Sequence, residues 1–401
     1  MKHSIVYVQS GGPTTVINSS LYGAIAEARK HPEVEHFYGA RNGIEGLIDG
    51  SFIDLFKEDQ EQIELLLQTP GAALGSSRKS IPADINDPVY EEVLATFKKF
   101  GVTCVLFNGG NDSMDTCDKL GKFFQAKGEP IQCIGVPKTI DNDLVCTDHC
   151  PGFGSAAKMV INTTLSCAID AASFRKSKIY VIETMGRNAG WVAASAALIP
   201  APYTPDLVLT PEMTPDADEV GQLIKNAYEK KGYAVVVMAE GVMFEELNNV
   251  PTDSFGHACL DGTSFGLIRI INSVCKGSTR QVILSTPNRA APAYGSLTDI
   301  KEAQGAGATA VKLALEGKSR LMVTILRDEG PEYKVHYGSC NVSEVANAVK
   351  TIPTSWIRGY EGFTKDLENY IRPLILGEPE LKVKDGVIAF TNFKGIKPEA
   401  K

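Results

Sequence analysis

No apolar run in this 401-residue sequence approaches the roughly 18 residues of a membrane-crossing helix. The amino terminus, MKHSIVYVQSGG, has a short apolar stretch that leads into glycines and not into a small-residue cleavage site. No secretory leader is therefore expected, and the unpatterned thiols noted below lead to the expectation of a cytoplasmic location. Positive charge is scarce: 40 Lys and Arg stand against 48 Asp and Glu, a formal net charge of −8, and no long Lys/Arg-rich run occurs. That excludes the basic face a nucleic-acid partner needs. It leaves room for small anionic substrates, which a local cluster of Arg and Lys binds even on an acidic protein. The nine cysteines are scattered, odd in number and without a framework, as reduced thiols are. One cluster, Cys146-Thr147-Asp148-His149-Cys150, gathers potential metal ligands. It lacks the second ligand pair about 12–20 residues away that a structural zinc site uses, so no zinc is expected. The G-x-x-x-x-G-K-[ST] phosphate loop and the H-E-x-x-H zinc motif are absent. Of the histidines only His149 lies near the loops considered below; His3, His31, His36, His257 and His336 read as surface or core residues.

What is present is a globular composition. Hydrophobic residues make up 43% and charged residues 22%, enough for a sizeable core and too apolar for disorder. The length suits two or three packed units. Short β-branched apolar segments at 4–9, 103–108, 131–136, 178–184, 206–210, 233–239, 281–286 and 320–326 read as buried strands. Helical patterns follow at 14–29, 155–172 and 217–231. This alternation predicts an α/β fold with mostly parallel sheets flanked by helices. The stretch 245–262 is polar and rich in turn-forming residues, and reads as a surface excursion. The last sixty or so residues are less regular, with a further helix near 364–370. No repeat, low-complexity tract or flexible linker marks a domain boundary.

Ligands of open α/β sheets sit beyond the carboxyl ends of strands, so the loops there carry the chemistry. The first strand runs into Ser10-Gly11-Gly12-Pro13-Thr14-Thr15 and a helix, a place where backbone N–H groups can meet an anion. A tight turn alone would use the same glycines. The segment 103–108 runs into Gly109-Gly110-Asn111-Asp112-Ser113, a second loop of phosphate type with a carboxylate inside it. Two unit charges 4 Å apart repel by about 4 kcal/mol at an effective dielectric of 20. Asp112 therefore excludes a phosphate, acts through a metal, or simply caps the helix. The segment 131–136 ends in Pro137-Lys138-Thr139-Ile140-Asp141-Asn142-Asp143. One of its carboxylates can take a proton from an alcohol while another holds a divalent ion; an Asp/Asn-rich turn is the plainer reading. After 178–184 comes Met185-Gly186-Arg187-Asn188-Ala189-Gly190-Trp191, with Arg187 suited to a phosphate or transition-state contact, or to an ordinary surface position. Glu240-Gly241 closes the strand at 233–239, and Arg280 and Arg289 bracket 281–286, where they would clamp a phosphomonoester. Gly152-Phe153-Gly154-Ser155-Ala156-Ala157 loosely echoes a dinucleotide fingerprint, but it follows a Cys/Pro turn and no strand.

Taken in order, these loops resemble the phosphofructokinase family. The matching segments are SGG near 11, LGSSR ending at Arg78, GGNDS at 109–113, PKTIDND at 137–143, PGFGSAAK at 151–158, IETMGRNAGW at 182–191, AEG at 239–241 and the Arg280/Arg289 stretch. The resemblance spans about residues 4 to 327, and PKTIDND together with MGRNAG is its specific part.

The resemblance implies two α/β domains with the active site in the cleft between them. A donor domain would comprise 1–150 plus a returning segment of about 288–340, and a sugar-phosphate domain 151–287. Residues 341–401 would form an extension to which the resemblance assigns no role. It implies Asp141 as the general base for the 1-hydroxyl of fructose 6-phosphate. Thr139, Ile140 and Asp143 would neighbour it in the sugar and metal site. Met185, Gly186 and Arg187 resemble the sugar-binding turn, Glu240 a partner of sugar hydroxyls, and Arg280 and Arg289 the arginines that grip the 6-phosphate. Some of those arginines cross a subunit interface in the family, so a homodimer or homotetramer is implied. Gly11, Gly12, Arg78 and Gly110 match the donor loops.

Donor choice turns on Asp112 and Lys138. ATP-using relatives carry glycine at both places, and the Asp/Lys pair resembles the pyrophosphate-dependent branch. Asp112 would stand where the α-phosphate of ATP lies and repel it, and Lys138 would offset charge on the leaving phosphate. The expected reaction is the Mg²⁺-assisted, reversible transfer from pyrophosphate to fructose 6-phosphate. An ATP-dependent kinase and a catalytically silent sugar-phosphate-binding subunit are the alternatives. The chain departs from the family in four places: Asn111 replaces an Asp metal ligand, Lys178 an arginine to the 6-phosphate, Thr286 an aromatic or imidazole residue, and Pro13 an Asp. An amide oxygen still coordinates Mg²⁺, with one charge less.

Overall fold

The computed structural model describes residues 2–244, 263–346 and 348–399. The excursion expected at 245–262, with His257, lies outside them.

The first strand shows how this sequence builds layers. Strand β1 (His3–Gln9) is buried along almost its whole length. Successive side chains of a strand point to opposite faces. Ile5 and Tyr7 accordingly enter one core with the helices Ile17–Ala28 and Leu297–Leu315, while Val6 and Val8 enter another with Pro88–Phe100 and Asn111–Lys127. Burial on both faces is why the segment reads as a continuous apolar run and not as an alternation.

Around it lie β2 (Val34–Ala40), β3 (Phe52–Asp54), β4 (Cys104–Gly109) and β5 (Gln132–Pro137). The smaller sheet contains β6 (Ile179–Thr184), β7 (Leu207–Leu209), β8 (Ala234–Ala239) and β9 (Thr279–Ile283). The chain then returns with β10 (Leu321–Arg327) and β11 (Val335–Asn341). The large sheet has the order β11-β10-β5-β4-β1-β2-β3, the small one β7-β8-β6-β9. Pairings within these two sheets are parallel except for β2 with β3 and β10 with β11. The mostly parallel, helix-flanked α/β architecture is thus as expected. In the large sheet the order reverses between β1 and β4, which is where a doubly wound sheet opens a crevice. No helix among the described residues is long and apolar enough to cross a membrane.

Several expectations need correcting. The first helix begins at Ile17, not at 14, with Val16 as its cap, so Gly11 and Gly12 precede the helix by a whole loop. The strand expected at 281–286 is Thr279–Ile283; Ser285–Arg289 is a short helix with Pro287 in its first turn, where a proline is tolerated. Thr286 therefore sits on a helix and is exposed. Val342 and Val345 still pack into a core of the large sheet, whereas residues 352–375 send apolar side chains, among them Ile352, Leu367, Ile371 and Leu374, into the core of the small sheet. The final stretch crosses back to the large sheet, where the Asp54 amide donates to the Ile396 carbonyl at 2.8 Å. It covers the edge strand β3 that would otherwise present unpaired backbone groups.

Candidate active site

The carboxyl ends of β1, β4 and β5 face those of β6 and β8 across a cavity of about 310 Å³. The loop after β5 forms its floor and supplies Lys138, Thr139, Ile140, Asp141 and Asp143 to the lining. Its shape is set by side chains turned back on the backbone. Thr139 Oγ1 accepts from the Asp141 amide at 3.1 Å and its hydroxyl bonds Asp143. Asn142 adopts φ +55°, a left-handed conformation that Asn tolerates better than most residues. That turn leaves the flanking carboxylates Asp141 and Asp143 facing the cavity.

Burial pushes the Asp141 carboxyl up to about 7, helped by the charges of Asp143 and Glu240 and opposed by Lys138 and Arg187. Burial likewise raises Asp143. The same burial lowers the Lys138 ammonium to about 8, against the pull of Asp141 and Asp143. Lys138 Nζ donates to the Gly12 carbonyl at 2.9 Å and is thereby aimed at the first loop. A base near neutrality beside a buried cation is the arrangement that proton abstraction from an alcohol, coupled to departure of an anion, requires.

The loop after β4 contributes Gly110, Asn111 and Asp112. The cap of the helix Asn111–Lys127 is Gly110, with no side-chain cap bond, so Asp112 is not the cap: it stands exposed in the first turn at the cavity. Asn111 Nδ2 donates to Asp143 Oδ2 at 3.4 Å, while its buried Oδ1 has no hydrogen-bond partner among the described residues. An orphaned amide oxygen beside a carboxylate is a donor set that suits a hard divalent cation.

From the first loop come Gly11 and Gly12. The Gly11 amide is already bonded to Ser77 O, at 3.2 Å, which ties this loop to the one bearing Arg78. A Cβ on Gly12 would lie 2.6 Å from Arg289 Nη1, so a side chain here would displace the Arg289 guanidinium from its present place in the cavity. From the small sheet come Met185, Arg187 and Glu240. A Cβ on Gly241 would meet Arg187 O at 1.9 Å, which explains why a glycine follows Glu240: it seats the turn that carries Arg187. Arg187 Nε has no hydrogen-bond partner among the described residues.

Not all expected residues converge. Gly186 shapes its turn with φ +134° but does not line the cavity. Lys178, Arg280 and Thr286 do not line it either. Arg280 is exposed on β9, the edge strand of the small sheet, opposite Tyr180. Conversely, Asp115 and Thr116 line the cavity and were not anticipated. They lie one helical turn beyond Asn111 and Asp112, and the i, i+4 spacing is the signal that points to them.

Other motifs resolve into structure. His149 is held between Asp148 Oδ2 (2.8 Å) and Glu302 Oε2 (2.6 Å), and Cys150 is buried. At Gly152 and Ser155 the start of the helix Phe153–Ala172 is occupied by Asp299, whose carboxylate accepts from both amides at 2.9 Å. A protein carboxylate fills the place a phosphate would need. Ser264, in a sequence spelled G-T-S-F-G and not anticipated, is buried with its hydroxyl bridged between Glu183 and Gln281.

Residues 4–314 match the family model described as Phosphofructokinase. The chain is 36% identical to the "Pyrophosphate--fructose 6-phosphate 1-phosphotransferase" of Halomonas elongata, covering 94% of this chain and 93% of that one. It is 37% identical to the protein of the same description from Xanthomonas campestris pv. campestris, with 98% and 96% covered. A crystal structure described as a pyrophosphate-dependent phosphofructokinase from Marinobacter aquaeolei superposes with a TM-score of 0.90 at 36% identity, over 100% of this chain and 98% of that one.

Proposed function

The chain belongs to the phosphofructokinase family, and from that premise we propose that it reversibly transfers a phosphoryl group from pyrophosphate to the 1-hydroxyl of fructose 6-phosphate. The products are fructose 1,6-bisphosphate and phosphate. The reading is carried by the convergence of Asp141, Lys138 and Asp112 on one cavity. In the forward direction Asp141 takes the proton of the 1-hydroxyl. The sugar oxygen bonds to the near phosphorus of pyrophosphate as the bridging P–O bond breaks. Lys138 and Arg187 face the charge that gathers on the transferring and leaving groups. Thr139 and Ile140 border the sugar beside the base, Met185 and Glu240 hold it from the other wall with Gly186 shaping the turn behind Met185, and Gly11, Gly12, Arg78 and Gly110 border the donor.

Asn111 and Asp143 are the residues we assign to Mg²⁺, which when bound supplies positive charge to the phosphate oxygens. Asn111→Ala is expected to raise the Mg²⁺ concentration for half-maximal activity about 10-fold, read from a Mg²⁺ titration at saturating substrates. An unchanged titration would remove Asn111 from the cation site.

In this reading the large-sheet unit, 1–150 with 288–340, handles the donor and 151–287 the sugar. The exposed Arg280, with Lys178, serves the 6-phosphate of a neighbouring copy in a homodimer or homotetramer, while Arg289 acts within its own chain. Thr286 borders that same site. A cytoplasmic enzyme fits the eight free cysteines among the described residues.

The test is direct. Purified protein is given fructose 6-phosphate, Mg²⁺ and either pyrophosphate or ATP, and fructose 1,6-bisphosphate is followed. Turnover with pyrophosphate and little with ATP is expected. ATP alone working would overturn the donor assignment, and neither working would favour a silent binding subunit.

A further inference from the structure

Resting on that reading of Asp141 as the base, we infer that Lys350 and Tyr370 are positioning residues: they hold loop 141–143 in register with turn 185–191 on the opposite wall of the cleft. Neither lines the cavity, and both lie beyond residue 314, where the family match ends.

Asn142 sits between the two carboxylates and is fully buried. Its side chain is wholly engaged: Oδ1 accepts from the Cys150 amide at 3.0 Å, and Nδ2 donates to the Tyr370 hydroxyl at 2.8 Å. The Tyr370 hydroxyl in turn donates a hydrogen bond to the Asp148 carbonyl at 2.5 Å. Lys350 grips the same loop twice. Its amide donates to the Asp143 carbonyl at 2.7 Å, and its Nζ donates to the carbonyls of Asp148 (2.8 Å) and Thr147 (3.2 Å). The peptide groups behind Asp141 are therefore oriented by one outside segment.

That segment also holds the facing turn. Trp191 Nε1 donates to the Lys350 carbonyl at 3.0 Å, and the Tyr370 ring lies 5.1 Å from that of Trp191. Two residues on, the Ile352 amide donates to Glu212 Oε1 at 3.0 Å, and the same oxygen accepts from Gly190 at 3.0 Å. Residues 350–370 thus join the base loop of the large sheet to the turn bearing Arg187 on the small one. A strap of hydrogen bonds, most of them partly buried, across a cleft sets the distance between its walls. A small misplacement of a catalytic group costs turnover far more than it costs binding.

The test uses the full-length chain with fructose 6-phosphate, pyrophosphate and Mg²⁺, and measures kcat, both KM values and the thermal midpoint. Tyr370→Phe keeps the ring against Trp191 and removes only the hydroxyl. It is expected to lower kcat about 10-fold with both KM values within about twofold, in a protein still folded at the assay temperature. Lys350→Met is expected to act in the same sense, and Lys350→Arg, which keeps the donors, to recover part of the loss. If Tyr370→Phe does not fold, the Lys350 pair decides by the same criteria. A kcat within about twofold of wild type, or a loss carried by KM, overturns the positioning role. A wild type with no pyrophosphate-dependent turnover overturns the proposed reaction itself, whereas an active wild type with an unaffected Tyr370→Phe overturns the strap alone.

Discussion

Asp141→Asn is expected to lower kcat about 10³–10⁴-fold and to leave the protein folded, with a thermal midpoint raised by about 1–3 °C. The two effects share a cause. The Asp141 carboxyl is buried and sits among the negative charges of Asp143 and Glu240, so its ionised form is costly to the fold. The same crowding pushes its affinity for a proton up to about 7, which makes it a competent base for an alcohol near neutral pH. The amide has nearly the same shape, carries no charge and cannot accept the proton. It removes the repulsion and the chemistry together, as happens where a site stores strain for function. Initial rates under saturating substrates and a melting curve at pH 8 check both halves. Full activity in Asp141→Asn would end its assignment as base; lost activity with a collapsed melting curve would recast it as structural.

The parts of this site that were legible in the sequence share one property: each is a short run of glycine, charge and hydroxyl directly after a buried strand. Lys138, Asp141, Asp112, Arg187 and Glu240 all announce themselves in this way, because a parallel sheet collects its strand-end loops on one side. The helix Pro88–Phe100 was not among the helices expected, although its cap, Asp87, its first residue, Pro88, and its stop, Gly101, are the marks of one. Arg280 stays outside this cavity for a geometric reason. Sequence proximity to a strand does not say which end of the strand a residue occupies, and Arg280 lies near the start of β9, away from the loops at its far end. Thr286 also stays off the cavity, because it lies on the short helix Ser285–Arg289 and not at a strand end. The contribution of residues 341–399 was invisible for a deeper reason. The bonds from Tyr370 to Asn142 and from Lys350 to Asp143 span more than 200 residues, and local periodicity carries no information about such partners. Asn142 looked like one more turn residue, although its side chain is the anchor for the loop.

Lys138→Met is expected to lower pyrophosphate-dependent kcat about 10²–10³-fold, the cost of removing a preorganised charge where charge develops. The ammonium is held ready by the Gly12 carbonyl and does not have to be recruited during the reaction. Its burial also gives it a pH signature. Because burial brings its proton affinity down to about 8, the charge is lost as pH rises through that value, and activity should fall on the alkaline side of about 8. Stability should move the other way. Between about 8 and the ordinary lysine value of about 10.4, the unfolded chain holds the proton that the folded one has released, so this residue's contribution to stability rises with pH. Lys138→Arg, charged at every accessible pH, should shift the alkaline limb upward, and an unmoved limb would assign that limb to another group. Donor choice then separates Lys138 from Asp112. A carboxylate 4 Å from a phosphate charge costs between about 1 kcal/mol in water and about 4 at an effective dielectric of 20. Asp112 is exposed, so the lower part of that range applies, and about 1.4 kcal/mol corresponds to tenfold. The double variant Asp112→Gly with Lys138→Gly is therefore expected to gain about tenfold in ATP-dependent kcat/KM as its pyrophosphate-dependent rate collapses. If the pyrophosphate rate falls while ATP use stays absent, the charge on Asp112 is not what excludes the nucleotide, and the walls of the cavity must do so by shape.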